Sequence, residues 1–271
     1  MFELDLLQSM ESWQWPADAS TQLASIIRDT SLSTEDRLLA AELAGPIERM
    51  DDALAEVLLE TVLDEETPSE IRGTAAIALG PILEYVEQEL IDPFFEPDLP
   101  ISEEVYHRIL STLQTVYEDE SAPIETRRRA LEAGVRATQD WHARAIADAF
   151  ANEDISWKQT AVFCMRFRPG FEAEIEEALK SDDDEVHRQA VLAAGSQELS
   201  SAWFHVRSLA ASENTEKWLR IAAIQAAADI RPESAEKILR ELMDHSDEDI
   251  AITAENALLE SGQFDMDDWD L

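Results

Sequence analysis

The sequence contains few cysteine, glycine and lysine residues, and these scarcities exclude several classes of protein. A single cysteine, Cys164, among 271 residues excludes a disulfide framework and a zinc site built from cysteines. Seven glycines and ten prolines are too few for an all-β protein with many tight turns. The longest stretch without a charged residue, 73–83, is much shorter than the roughly 20 apolar residues that span a bilayer. We therefore expect no membrane-spanning segment.

The charge is strongly one-sided. Asp and Glu total 59 against 21 Lys and Arg, only four of them Lys, for a formal net charge of −38. Nucleic acids and anionic membranes are polyanions, so this balance disfavours both as general partners. The acidic start of the chain does not resemble a secretory signal, and we expect a cytoplasmic protein. The acidity is typical of a solvated surface adapted to salt, or of a surface that attracts a basic partner.

A motif recurs seven times along the chain. A capping or acidic residue is followed by a basic residue and then by small and apolar residues at helical spacing. Copies are spaced about 30–35 residues apart, except for 55 between the second and third. We call the basic position the mark. It is occupied by Arg37, Arg72, Arg127, Lys158, His187 and Arg220, and in the seventh copy by Ala251, which is not basic. Three residues after each mark stands Ala40, Ala75, Ala130, Ala161, Ala190, Ala223 or Ala254.

These alanines predict the same close helix contact in every copy, because a small side chain lets two helices approach. Between the copies lie further amphipathic segments, such as 53–63 and 234–243. Each unit is therefore predicted to be helix, turn, helix. No stretch shows sustained alternation of apolar and polar residues, so we expect no strands and an all-α fold.

Two copies carry a family resemblance: Ile71-Arg72-Gly73-Thr74-Ala75-Ala76-Ile77-Ala78-Leu79-Gly80 and Val186-His187-Arg188-Gln189-Ala190-Val191-Leu192-Ala193-Ala194-Gly195. They resemble the second helix of HEAT repeats, nearest the short HEAT-like variety. The resemblance implies a right-handed α-α superhelix (solenoid) of about seven helix pairs. It also implies that the second helices line a concave, partner-binding surface. We expect one repeat domain over 1–271, with an irregular, proline-containing insertion at about 84–101 and a flexible acidic tail at 263–271.

The sequence offers no recognisable catalytic motif. None of the five histidines is followed by Glu, whereas the iron-binding HEAT-like hydroxylases use repeated His-Glu pairs. A helical zinc motif, a phosphate-binding loop and a nucleophile elbow are also missing from the sequence. Cys164 lies in an apolar stretch and is expected to be a buried, inert thiol. We therefore predict no catalytic residue, no cofactor and no metal.

One window departs from the acidic trend. Residues 127–168 carry eight basic and five acidic side chains, interleaved with aromatic residues. Arginine forks beside aromatic planes suit an anion, an acidic peptide or nucleic acid, whereas pairing with acids of neighbouring repeats would make them structural. The candidate partner-binding residues are Arg127, Arg128, Arg129, Glu132, Arg136, Trp141, Arg144, Trp157, Arg188 and Gln225.

The favoured hypothesis is a monomeric, non-enzymatic scaffold that binds a protein or peptide, a basic one included, in its concave groove. A second hypothesis is an enzyme or enzyme subunit of a HEAT-like type, either a chromophore lyase or a DNA glycosylase. A third is an acidic mimic of nucleic acid that occupies a basic protein. The sequence carries no motif for either chemistry, and the spread of acidic charge over all units, rather than one face, disfavours the mimic.

Overall fold

The computed structural model describes residues 4–89 and 99–262, and the described chain is all-α. Sixteen α-helices and three short 3-10 helices occur in these ranges, and no β-strand does. The chain divides into two compact units, 1–145 and 146–271. The α-helices are α1 Leu4–Gln8, α2 Ala19–Arg28, α3 Thr34–Glu42, α4 Asp52–Leu63, α5 Ser69–Ala78, α6 Gly80–Glu89, α7 Glu103–Glu118, α8 Ile124–Gly134, α9 His142–Phe150, α10 Ile155–Cys164, α11 Glu172–Ala178, α12 Asp184–Ser196, α13 Trp203–Ala211, α14 Lys217–Ile230, α15 Pro232–Met243 and α16 Glu248–Glu260.

All seven copies of the motif form helices. They are α3, α5 and α8 in the first unit and α10, α12, α14 and α16 in the second. The alanine three residues after the mark is fully buried in every copy, which confirms the predicted close packing. We call these seven the second helices, because all of them except α10 pair with the helix that precedes them.

The helices of each unit pack in two rows. In the first unit α2, α4 and α7 succeed one another in one row, and α3, α5 and α8 in the other. In the second unit α10, α12, α14 and α16 form one such row, with α11, α13 and α15 beside them. The cores are aliphatic, with Leu58 and Ile109 fully buried in the first unit and Val206 and Ile224 in the second.

Side-chain caps start many of these helices. The Ser33 hydroxyl accepts a hydrogen bond from the Asp36 N–H, and the Asp51 carboxylate accepts one from Leu54. Asp183, in an acidic run that resembles a cation site, accepts from the Val186 N–H at 2.9 Å. These bonds satisfy N–H groups that an α-helix leaves without a partner, so the acidic residues before the helices have a structural role.

The first residues of the predicted irregular insertion, 84–89, are helical. Helix α6 continues through Glu89, because its Pro81 lies in the first turn, where proline costs no helical hydrogen bond. Phe94 and Phe95 of the insertion, and the predicted flexible tail at 263–271, lie outside the described residues. Within the described ranges no helix is both long and apolar enough to cross a membrane.

Candidate binding surface on the second helices

The arginine of the mark is a structural clamp. Its Nε–H donates to the carbonyl ten residues earlier, at the end of the preceding helix, with distances of 2.9–3.0 Å. The four pairs are Arg37 with Ile27, Arg72 with Val62, Arg127 with Tyr117 and Arg220 with Ala210. Helix C-terminal carbonyls lack helical partners, so each clamp satisfies one of them and ties the two helices of a pair together.

An aspartate in the connecting turn accompanies three of these clamps. The pKa values of Asp29, Asp64 and Asp119 are lowered, chiefly by hydrogen bonds from side-chain hydroxyls and backbone N–H groups in the turn. The positive charge of the clamping arginine lowers them further. The aspartate and the clamping arginine of each of these copies therefore stabilise the turn.

The clamp at Arg220 is the most elaborate. Arg220 is 3% exposed and also holds both carboxylate oxygens of Glu213, at 2.8 and 3.0 Å. The Nδ1 of His245 accepts from the Asp247 N–H, so its Nε2–H is the donor that faces Glu213 at 3.3 Å. These hydrogen bonds, the one from Arg220 first, lower the pKa of Glu213 to about 2.

The basic window is divided between the two units, since Arg127 to Arg144 lie in the first and Trp157 in the second. Several of its arginines pair with carboxylates of the first unit. Arg128, 9% exposed, pairs with Glu125 at 3.0 Å, and Arg129 bridges Glu125 and the 5%-exposed Glu132 at 2.8 and 2.7 Å. Arg136 pairs with Glu84 at 2.5 Å. A ligand for these side chains would have to compete with carboxylates already in place.

The two aromatic members of the predicted set belong to different units. Trp141 stacks on Tyr117, with ring centroids 5.1 Å apart, and Trp157 is buried in α10. Arg144 is an exposed residue of α9. Trp141 and Arg144 therefore belong to the first unit, and Trp157 belongs to the second.

In the second unit, the second helices present an accessible ridge. Its residues stand one, five or nine positions after the mark and therefore share one face of each helix. Two predicted residues lie on it: Arg188, which pairs with Glu185 at 2.6 Å, and the exposed Gln225. The ridge also includes Leu192 and Ser196 of α12, Asp229 of α14 and Glu260 of α16.

A cavity of about 190 Å³ opens along this ridge. Carboxylates of Asp229 and Glu260, the Gln225 amide and Arg166 line it, and its surface is mainly polar. Its lining residues are Arg166, Leu192, Ser196, Gln225, Ala226, Ala228, Asp229, Ala257 and Glu260.

The electrostatics of the cavity centre on Asp229. Although this residue keeps access to solvent, packing desolvates its carboxyl group and raises its pKa. The negative charges of Glu260 and Glu198 raise it further, and Arg166 acts in the opposite direction. Asp229 is thus a carboxylate held in an excess of negative charge, which a cation entering the cavity would relieve.

Close helix packing brings these groups together. A Cβ atom placed on Gly195 would lie 2.8 Å from the Cα of Ala226 and 3.0 Å from an Asp229 oxygen. Only a residue without a side chain lets α12 and α14 approach this closely. Gly195 therefore sets the position of the Asp229 carboxylate.

Arg166, Asp229 and Glu260 are not among the predicted partner-binding residues. Arg136 in the predicted set and Asp229 share the same register, nine residues after the mark, so the repeat contained a usable signal. The arrangement offers carboxylates to a cationic group. Across residues 4–89 and 99–262, no group of three or more His, Cys, Asp or Glu side chains is placed to hold a metal ion.

Comparisons with known proteins add little to this geometry. No protein-family model and no curated protein matches the sequence. Among solved structures, YibA of E. coli aligns at 14% identity and a TM-score of 0.44, covering 94% of this chain and 90% of YibA. Human deoxyhypusine hydroxylase in complex with glycerol aligns at 15% identity and a TM-score of 0.43, covering 96% and 89%. At these scores the likeness carries no argument about family or activity.

Proposed function

We propose that this chain is a non-enzymatic scaffold that binds a protein or peptide through the second helices of its second unit. A lysine or arginine side chain of the partner enters the cavity beside Asp229 and Glu260. The observation that carries the proposal is this acid-lined cavity on an accessible ridge. The proposal includes the finer architecture, a right-handed HEAT-like superhelix of about seven helix pairs, for which the seven repeated helices are the support.

The size of the cavity favours a side chain over a whole small molecule. Pockets that enclose drug-sized ligands measure roughly 300–1,000 Å³. The cavity here measures about 190 Å³ and is open to the surface. It therefore suits one long side chain, while the rest of the partner lies along the ridge.

The charge favours a basic partner. The negative charges of Glu198 and Glu260 act on Asp229, and the positive charge of Arg166 opposes them. The net charge of −38 also attracts a basic partner at long range. Binding should accordingly weaken as salt rises, since the Debye length shortens to about 8 Å at physiological ionic strength.

The predicted residues divide between this ridge and the rest of the fold. Gln225 lines the cavity and Arg188 lies farther along the same ridge. In this proposal both contact the partner. Arg128, Arg129 and Glu132 instead stabilise α8 through their ion pairs.

Peptide selection tests the proposal. A random-peptide display library is panned on the full chain, and enriched peptides are measured by fluorescence anisotropy at low and high salt. We expect enriched peptides to share a lysine or arginine. The variant Asp229→Asn/Glu260→Gln should weaken their binding at least tenfold, about 1.4 kcal/mol.

A matched control separates the cavity from the general acidity. Glu153→Gln/Glu241→Gln removes the same charge from exposed positions of the second unit that do not line the cavity. We expect less than a threefold effect. Equal weakening by both variants would indicate diffuse attraction, as an acidic mimic would show, and enriched peptides without a basic residue would refute the proposal.

A further inference from the structure

Two histidines of the second unit form a direct contact. Nε2 of His187, on α12, lies 2.8 Å from Nε2 of His205, on α13. The ring centroids are 5.1 Å apart, so the two rings meet almost head on. One imidazole must then donate its Nε2–H to the lone pair of the other, because two N–H groups cannot face each other at this distance.

This contact replaces the clamp in the fifth copy of the motif. His187 occupies the mark, where four copies place an arginine that reaches back ten residues to a carbonyl. His187 instead reaches forward to the next helix of the chain. Lys158, the mark of the fourth copy, also reaches forward, to Glu177 of α11 at 2.9 Å. Arginine and lysine keep their charge at physiological pH, whereas histidine does not.

We propose that His187 and His205 form a proton-sensitive latch between α12 and α13. With one proton between them the rings hold the two helices together. Uptake of one further proton by the neutral pair leaves this hydrogen bond in place, with one ring charged. Uptake of two makes both rings cations whose Nε2–H groups face each other, so the contact opens and the start of α13 loosens. The latch responds to mild acid, while the arginine clamps of the other copies do not.

The surroundings favour the neutral pair. Desolvation lowers the pKa of both rings, and the charge of His205 lowers that of His187 further. Asp184, on α12, is the nearby acid that acts in the opposite direction on His187.

Several other ionisable groups of the neighbouring helices are paired away from the two rings. Glu185 of α12 pairs with Arg188, and Glu176 of α11 accepts from Ser201 ahead of α13. Lys217 of α14 pairs with Asp247 and Asp249. Arg220 of α14 holds Glu213. Arg207, two residues after His205 on α13, is exposed to solvent.

The sign of the pH dependence follows from these shifts. The folded chain binds protons at the latch less readily than the unfolded chain, in which histidine has a pKa of about 6.5. The contribution of the latch to stability is therefore complete above pH 6.5. It is lost as the pH falls through the lowered pKa values of the folded state.

A titration of the full chain tests the latch. The ring C–H signals of the histidines are followed by NMR from pH 8 to 4.5. We expect His187 and His205 to titrate in two separate steps, both below 6.5. Replacing His187 by Gln should move the step of His205 back toward 6.5. The control His107→Gln, at an exposed side chain of α7, should move neither step.

Amide exchange supplies the conformational readout. After correction for intrinsic rates, protection of α13 should fall about tenfold or more between pH 7.5 and 5 in the natural chain. In His187→Gln/His205→Gln, whose amides can pair without taking up protons, protection should stay constant. Unchanged protection in the natural chain, or a His205 step that ignores His187→Gln, would overturn the proposal.

Discussion

Replacing Arg220 by Met tests whether the arginine at the mark stabilises the fold as a clamp between two helices. The substitution keeps a side chain that can pack like the apolar stem of arginine. It removes the Nε–H that donates to the Ala210 carbonyl and the guanidinium that holds Glu213. A buried carbonyl without a partner costs about 1–3 kcal/mol, and we expect a loss of stability in that range. Because Glu213 remains in water, no buried charge is stranded.

Arg28→Met is the matched control. Arg28 also places two nitrogens on one glutamate, Glu60, at 2.7 and 3.1 Å. Its side chain, however, is 54% exposed, and such surface pairs contribute about 0–1 kcal/mol. Urea unfolding followed by circular dichroism gives both values from the shift in midpoint. A loss for Arg220→Met no larger than that for Arg28→Met would refute the clamp.

Two further predictions use the same unfolding assay. Gly195→Ala should destabilise the chain by about 1–3 kcal/mol, because the added Cβ would meet the backbone of Ala226. Gly45→Ala, where there is room for a methyl group, should be neutral or slightly stabilising. Equal effects of the two substitutions would contradict the close approach of α12 and α14. Because the pKa of Glu213 is lowered in the folded chain, its ionised carboxylate stabilises the folded state at pH values above the ordinary pKa of glutamate. This contribution is lost as the pH falls toward 2. Glu213→Gln should therefore flatten the stability profile between pH 5 and 2, and an unchanged profile would contradict the assignment.

The helices were predictable because their signals are local. A cap, a basic mark and an alanine three residues later recur in one register, and the buried Ala190 and Ala223 confirm what that register predicts. The sequence did not predict that helix α6 extends through Glu89, because the prolines at 93, 97 and 100 indicated an irregular segment from about residue 84.

The candidate surface was harder to predict because it depends on contacts between helices. A count of charges over 127–168 cannot tell that Arg129 lies between Glu125 and Glu132 on its own helix. Nor can it tell that Gly195 brings Asp229 into a cavity with Glu260. The register nine residues after the mark was visible in the sequence, but its importance depends on which helices approach most closely.

The most direct test of the proposed binding site is a double-mutant cycle with an enriched peptide. Asp229→Asn in the protein and Lys→Met in the peptide are measured singly and together by anisotropy. If the lysine enters the cavity, each change alone weakens binding about tenfold, and the pair together weakens it little further. If the two losses multiply, the lysine and Asp229 do not interact, and the proposed site is wrong.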